Sequence, residues 1–242
     1  IGGGMMAEAI LKGMLHKEIA EPEMIIISDP SAGRREYLEK TYKVNTTGCN
    51  AEAVKAAGFV ILAVKPQVAD AAITKEVADA IPQNTTVLSI MGSVNIDKLH
   101  KLVPGHAVIR VMPNTPLAVG CGMTAIAPDE NVSEEMLDVA KAVFGSCGEI
   151  EIIAESAIEA IAAVSGCGPG YVFMMIDALA DAGVNAGLPR AMAIKLAAQT
   201  FLPAAAKMVL DTGLHPAFCA NQVNITGRHN HCRHTCARKT AA

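Results

Sequence analysis

The chain has 242 residues, a formal net charge of −4 at pH 7 and 51% hydrophobic residues, which suits one large or two modest domains with a sizeable core. The slight negative charge, the 3% of aromatic residues and the absence of Trp argue against a nucleic-acid partner. No uninterrupted apolar run reaches membrane-spanning length and no signal peptide is visible, so we expect a cytoplasmic protein with no membrane partner. Seven cysteines, an odd number without a C-x-x-C pair among Cys49, Cys121, Cys147 and Cys167, favour reduced thiols.

The chain opens on a glycine-rich turn, Gly2-x-Gly4-x-x-Ala7, that leads directly into an apolar helical pattern. This is the G-x-G-x-x-G/A pattern of a dinucleotide-binding βαβ unit. Gly2 would allow the tight turn, Gly4 would let the backbone approach a pyrophosphate, and Ala7 would let the helix pack closely on its strand. Alone, the pattern also fits an ordinary glycine-rich loop. Only Ile1 represents the first strand, so we expect that a few residues before it are missing.

The first half of the chain alternates short β-branched runs with helical patterns. This alternation predicts a doubly wound α/β Rossmann domain with a mostly parallel sheet over residues 1–153. The predicted strands are Met24–Ser28, Lys43–Asn45, Phe59–Val64, Thr86–Ile90, Ala107–Met112, Met123–Ala127 and Glu149–Ile153. The predicted helices between them are Ala32–Tyr42, Ala51–Ala57, Val68–Ile81, Ile96–Leu102 and Ser133–Phe144.

The second half is Ala-rich and helical, over Ala157–Ser165, Tyr171–Ala186 and Pro189–Thr212. We therefore predict an all-α domain over residues 154–223. A helical domain this small has little core of its own, so we expect a second subunit to cover its apolar faces.

The end of the second strand carries candidate groups for cofactor selection. Asp29 could hold the ribose hydroxyls of NAD, whereas Ser28 with Arg34 or Arg35 could hold the extra phosphate of NADP. Ser28 and an arginine favour NADP, and Asp29 is interpreted as a helix N-cap. The arginines also fit a solvated helix face.

Polar residues also follow two predicted strands, at the edge where ligands bind in such sheets. Ala63-Val64-Lys65-Pro66 ends the apolar third strand, although Pro66 alone could simply stop it. Asn114 and Thr115 lie in a turn between two prolines, where they could orient a small polar ligand or serve only the turn.

The segment Ser165-Gly166-Cys167-Gly168-Pro169-Gly170-Tyr171 lies between two predicted helices. Its glycines would leave the next helix N-terminus accessible to an anion such as a carboxylate, and Ser165 could add a hydroxyl. A close helix crossing would also need small residues here. We discount Cys167 as a nucleophile because no His lies nearby in sequence.

Taken together, these motifs resemble the pyrroline-5-carboxylate reductase family, in order and at the family's spacing from Ile1 to about Val223. Two further stretches match, from Asp177 to Arg190 and at His215-Pro216. The resemblance implies reduction of 1-pyrroline-5-carboxylate to L-proline, the last step of proline biosynthesis, by an enzyme with a Rossmann domain and a helical dimerisation domain. It implies NADPH as cofactor, with NADH as the alternative, and a homo-oligomer.

By the same resemblance, the site residues fall into two groups. Asn114 and Ser165 would have positioning roles in catalysis, with substrate bound at Ser165, Gly166, Cys167 and Gly168. The cofactor would contact Gly2, Gly3, Gly4, Met5, Met6, Ala7, Ser28, Arg34, Asn50, Ala63, Val64, Lys65 and Pro66.

A 3-hydroxyacid dehydrogenase of similar architecture is the nearest rival. Alcohol oxidation needs a Lys acid/base shortly after the glycine-rich junction, and none follows Gly170 in Tyr171–Ile176. A protonated imine is already activated and needs no strong base.

The tail from Asn224 to Ala242 departs from the family's pattern and gathers His, Cys and Arg. Its His and Cys residues have zinc-binding chemistry, but their spacing matches no common finger, and we expect no metal. A frameshift is the alternative, because permitted codons from Asn224 onward, read with one base deleted, restore a Thr-Ser-Pro-Ala-Gly-Thr-Thr loop and an apolar helix. A truncated helical domain would then dimerise weakly and leave activity low, and a non-catalytic nucleotide-binding protein is a further alternative.

Overall fold

The computed structural model describes residues 1–201 and 206–222. The aberrant tail, with its zinc and frameshift alternatives, lies outside the described residues. The chain divides into two compact units, Ile1–Pro169 and Gly170–Ala242, each of which is described by itself.

The first unit alternates strands and helices, as the sequence predicts. Its strands are β1 (Ile26–Ser28), β2 (Asn45–Thr47), β3 (Phe59–Leu62), β4 (Thr86–Ser89), β5 (Val108–Met112), β6 (Gly122–Pro128) and β7 (Gly148–Ile152). Its helices are α1 (Met5–His16), α2 (Ala32–Tyr42), α3 (Asn50–Val54), α4 (Ala69–Ala72), α5 (Lys75–Ala80), α6 (Ile96–Leu102), α7 (Glu134–Gly145) and α8 (Ile158–Ile161). A further helix, α9 (Gly168–Asn185), begins at the last residues of the first unit.

The strands form a mostly parallel sheet. β3, β4 and β5 are parallel neighbours, β6 runs antiparallel to β5, and β7 is parallel to β6. β1 and β2 form a separate parallel pair. Ile1 and Gly2 lie between the two groups, because the Ile1 nitrogen donates to Ile61 O at 2.7 Å and Gly2 N donates to Ser28 O at 2.8 Å. The predicted Rossmann architecture is therefore confirmed.

The core of this unit follows from strands that are apolar on both faces. Val87, Leu88, Val108 and Ile109 are all fully buried, as expected for central strands covered by helices on each side. Because β3, β4 and β5 are parallel, their carboxyl ends lie along the edge that also carries the glycine turn after Ile1.

Several predicted boundaries are wrong for local reasons. The predicted helix Val68–Ile81 is broken at Ile73, whose ψ of 67° is not helical, and Thr74 then caps α5 by accepting from Val77 N. The predicted strand Lys43–Asn45 starts later, at Asn45, because Lys43 takes a left-handed conformation (φ 62°) that ends α2. Residues Pro22–Met24 form a 3₁₀ turn, so β1 begins only at Ile26.

The described part of the second unit is helical. After α9 it contains α10 (Arg190–Gln199), α11 (Ala206–Thr212) and α12 (Pro216–Gln222), and both α10 and α11 lie within the predicted helix Pro189–Thr212. Its small core is made of Ala180, Ala193 and Ala197, with Ile176 and Val184 packed against them. Many larger apolar side chains of α9 stay exposed, including Phe173 at 63% and Met174 at 73%.

One helical stretch of the described residues, Glu155–Asn185, is long and apolar enough by length and composition to cross a membrane. This stretch is not an uninterrupted apolar run, because acidic residues and glycines lie within it, so it does not contradict the expectation from the sequence. One such stretch is weak evidence for a membrane span, and core helices of soluble proteins meet the same criterion.

Candidate active site

The glycine turn has the geometry of a dinucleotide cradle. Gly2 adopts a φ of +92°, and a Cβ built on it would lie 2.7 Å from Ala63 O, so only glycine fits. Gly4 precedes α1 with an extended backbone, and a Cβ built on it would meet nothing within 4 Å. The first N–H groups of α1 have no partners inside the helix by helix geometry, so they remain available to an anion. The turn therefore fits a pyrophosphate.

The turn is joined to two other predicted cofactor segments. Ala63 N donates to Ile1 O at 2.8 Å, which brings the start of the Ala63–Pro66 segment against Gly2. On the other side, Asp29 Oδ2 accepts from Gly3 N at 3.0 Å and Asp29 Oδ1 accepts from Ser31 N at 2.9 Å. Asp29 is thus not the N-cap of α2, because Ser31 takes that role by accepting from Arg34 N.

Arg34 lies over the glycine turn. Its Nε donates to Gly3 O and its NH2 donates to Gly4 O at 3.4 Å, while NH2 also pairs with the Glu8 carboxylate. Arg35 instead donates to Asp29 O at 2.7 Å. Of the two arginines, Arg34 is therefore the one that contacts the cradle.

Ser28 and Asn50 are placed differently from Arg34. Ser28 is fully buried, and within the described residues its Oγ has no hydrogen-bond partner. A direct contact between this hydroxyl and a ribose phosphate would need the strand end to move. Asn50 begins α3, and its Nδ2 donates to Ala72 O at 2.9 Å, so its amide ties α3 to the end of α4. Lys65 is exposed after β3.

Asn114 joins two motifs that are distant in sequence. Its Nδ2 donates to Ser165 O at 3.0 Å, and its Oδ1 accepts from Met123 N at 2.9 Å. The residue is 8% exposed, and both ends of its amide are used inside the protein. Asn114 is therefore arranged to hold the segment at Ser165 in place.

The segment around Ser165 is not the interhelix loop that the glycines predict. Residues Ala162–Gly166 form a π-helical turn, in which Cys167 N donates to Ala162 O at 2.8 Å, and α9 follows at once from Gly168. Ser165 Oγ donates to Ile161 O at 3.1 Å. The extra residue of a π turn widens the helix locally, and such turns are frequent at functional sites.

Sequence reasoning missed an ion-pair network beneath this turn. Arg110 is buried in β5 and donates to Glu155 at 3.2 Å, to Glu159 at 2.9 Å and to Gly92 O at 2.6 Å. Glu155 also accepts from Ile96 N at 2.7 Å. A single Arg inside the apolar strand Val108–Met112 was the available signal, because a buried guanidinium requires acidic partners.

Sequence reasoning also missed the carboxylate that faces Arg34. Glu8 accepts from Tyr37 and Tyr42 as well, each at 2.8 Å, and the Arg34 Cζ lies 5.1 Å from the Tyr37 ring centroid. The signal was an acidic residue in the first turn of a helix whose N-terminus is expected to meet a phosphate.

Comparison with known proteins gives consistent relatives. The chain is 45% identical to the pyrroline-5-carboxylate reductase of Synechocystis sp. over 94% of this chain and 84% of the relative. It is 38% identical to that of Escherichia coli, again over 94% and 84%. The family profile for pyrroline-5-carboxylate reductase dimerisation matches residues 155–227, and the one for NADP oxidoreductase, coenzyme F420-dependent, matches residues 1–93.

Two solved structures resemble the fold along nearly the whole chain. A pyrroline-5-carboxylate reductase from Coxiella burnetii aligns with a TM-score of 0.87 and 28% identity, over 99% of this chain and 89% of that one. The pyrroline carboxylate reductase of Plasmodium falciparum, solved with NADP bound, aligns with a TM-score of 0.87 and 28% identity, over 99% and 88%.

Proposed function

Because this chain belongs to the pyrroline-5-carboxylate reductase family, we propose that its glycine turn and its Asn114–Ser165 junction form one active site at the carboxyl edge of the sheet. The chain is an NAD(P)-dependent oxidoreductase that reduces 1-pyrroline-5-carboxylate to L-proline in proline biosynthesis. The observation that carries the site is the Asn114–Ser165 hydrogen bond, since it joins the end of β5 to the glycine-rich segment.

The cofactor half of the site comprises the residues that surround the glycine turn. The free N–H groups at the start of α1 would hold the pyrophosphate, and Gly4 leaves room for it. Arg34 would meet the ribose 2′-phosphate, which favours NADPH over NADH. The proposed contacts are Gly2, Gly3, Gly4, Met5, Met6, Ala7, Ser28, Arg34, Asn50, Ala63, Val64, Lys65 and Pro66. Of these, Ser28 would reach the cofactor only if the end of β1 moved, and Asn50 would do so with an amide that also holds Ala72 O.

The substrate half of the site is the π turn and the beginning of α9. Ser165, Gly166, Cys167 and Gly168 would bind the substrate, with Asn114 holding the turn in place. When bound, the nicotinamide supplies a hydride to the imine carbon. The protonated imine is already electrophilic, so these residues need only orient the substrate and exclude water, and none has to act as a strong base.

The rival activities are not favoured. Oxidation of a 3-hydroxyacid would need a Lys acid/base after Gly170, and the sequence there is Tyr-Val-Phe-Met-Met-Ile. A purely nucleotide-binding role leaves the second half of the site unexplained, and the relatives are named as reductases over nearly the whole chain.

We further propose a cytoplasmic homodimer. The dimerisation profile covers the helical part of the chain, and α9 exposes large apolar side chains such as Phe173, Met174 and Met175. A second copy of the chain would remove these side chains from water.

The test is a comparison of substrates with purified protein. NADPH oxidation should accelerate with 1-pyrroline-5-carboxylate and not with 3-hydroxyacids. The Arg34→Gln variant should weaken binding of NADPH more than binding of NADH. Turnover of a 3-hydroxyacid would contradict the proposal. So would a chain with a repaired tail that binds NADPH but turns over neither substrate.

A further inference from the structure

The Glu8–Arg34 ion pair lies beside the glycine turn, at the position proposed above for the ribose 2′-phosphate. Arg34 contacts the carbonyls of Gly3 and Gly4, immediately before the helix N-terminus proposed to hold the pyrophosphate. The side chains of Arg34 and Glu8 are 25% and 20% exposed, so the pair is largely shielded from water. NADPH and NADH differ only by the 2′-phosphate, which is the group that an arginine here would recognise.

Glu8 is held as a carboxylate by three donors. Burial by itself would raise the pKa of Glu8, but the hydrogen bonds from Arg34, Tyr42 and Tyr37 outweigh it and lower the pKa below its ordinary value. The ionised carboxylate therefore persists at neutral pH and cancels the charge of the guanidinium it contacts.

The carboxylate is not needed to place Arg34. The guanidinium is also fixed by the carbonyls of Gly3 and Gly4 and by the Tyr37 ring, whose centroid lies 5.1 Å from Cζ. Removal of the Glu8 charge would therefore leave Arg34 at the turn with its full positive charge available to an anion.

We propose that Glu8 is a specificity-determining residue that limits the preference of this enzyme for NADPH over NADH by neutralising Arg34. The inference rests on the proposed function, in which Arg34 meets the 2′-phosphate. Glu8, in the first turn of α1, would thus set the ratio of the affinities for NADPH and NADH.

The test is the Glu8→Gln variant of the full chain, which removes the charge and keeps the shape of the side chain. Dissociation constants are measured by NADPH and NADH fluorescence titration and by calorimetry with NADP⁺ and NAD⁺. The constant for the phosphorylated cofactors should fall by about threefold to tenfold, as expected for one partly screened charge, and that for NADH should stay within about twofold. The gain should shrink as salt is raised.

Glu36→Gln is the matched control. Glu36 lies on α2 like Arg34, but it pairs with Lys40 and both side chains are well exposed. Its substitution changes the net charge by the same amount, so it should leave the ratio of the two dissociation constants unchanged. A similar gain in this control would mean that overall charge, and not the pairing with Arg34, sets the ratio.

Further variants separate the possible failures. If Arg34→Gln leaves the NADPH-to-NADH ratio unchanged, the proposed phosphate contact is wrong and the role of Glu8 falls with it. If Arg34→Gln weakens NADPH selectively while Glu8→Gln weakens NADPH or alters both cofactors equally, only the role of Glu8 is overturned. The double variant Glu8→Gln/Arg34→Gln should show no gain. If Glu8→Gln does not fold, Glu8→Ala must shift the ratio in the same direction.

Discussion

Two glycines of the same turn should respond to alanine in opposite ways. Gly2 has a φ of +92°, and its added Cβ would lie 2.7 Å from Ala63 O, an atom of backbone that cannot rotate away. Gly4 has a φ of −67° and an added Cβ there would meet nothing within 4 Å. Gly2 is thus required by the fold, whereas Gly4 matters only when a ligand occupies the open space.

The magnitudes follow from these geometries. Gly2→Ala combines left-handed strain with a forced shift of the segment that follows β3 at Ala63, and should lower the free energy of unfolding by about 2 to 5 kcal/mol. Gly4→Ala should change the free energy of unfolding by less than about 0.5 kcal/mol. Its methyl group would instead keep the pyrophosphate away from the helix N-terminus, and should weaken NADPH binding by at least about tenfold, or about 1.4 kcal/mol.

Urea unfolding and NADPH fluorescence titration on the same preparations separate the two effects. The reasoning is refuted if Gly4→Ala is destabilised as much as Gly2→Ala, because the space at Gly4 would then be filled by the protein itself. It is equally refuted if Gly4→Ala folds normally and binds NADPH with unchanged affinity, because the pyrophosphate would then lie elsewhere.

The remaining predictions concern single contacts and the tail. Asn114→Ala should cost about 1 to 3 kcal/mol of stability, because it leaves the Met123 N–H and the Ser165 carbonyl without their partner, and it should lower kcat. Asn114→Asp can still accept from Met123 N but has no donor for Ser165 O, so it should recover neither the full stability nor kcat. The pKa of Glu8 is lowered in the folded protein, so its carboxylate stabilises the fold at pH values above the ordinary carboxyl pKa. The difference in stability between wild type and Glu8→Gln should therefore fade as the pH falls through the pKa that Glu8 has in the folded protein, as measured by urea unfolding at a series of pH values. Burial raises the pKa of the Cys147 thiol, which should react with iodoacetamide far more slowly than the exposed cysteines, and equal rates at pH 7 would contradict its packing. In a repaired chain, the residues from Asn224 onward are replaced by those of the alternative reading frame. This chain should dimerise more tightly than the 242-residue chain in analytical ultracentrifugation, and it should oxidise NADPH faster with substrate. Equal behaviour of the two chains, or a gene with no continuation in that frame at the Val223 codon, would rule the frameshift out.

Local sequence was sufficient for the features that depend on neighbouring residues. The helices Ala32–Tyr42 and Ile96–Leu102 have the bounds that their patterns predict, because Ser31 and Asn95 supply N-caps within three residues of the N–H groups they accept. The alternation of apolar runs and helices was sufficient for the Rossmann architecture. The glycine spacing was sufficient to predict the tight turn at Gly2, although the pattern alone also fits an ordinary glycine-rich loop.

The tertiary structure decided which side chains meet. Glu8 and Arg34 are 26 residues apart, and Asn114 and Ser165 are 51 apart, so no local pattern relates them. The π turn at Ala162–Gly166 is also a tertiary outcome, because glycines and a proline permit a break there without requiring one. Sequence alone determined the tight glycine turn at Gly2 and the Rossmann architecture around it. Only the fold placed an acidic residue against the arginine at that turn, because long-range packing and not spacing brings opposite charges together.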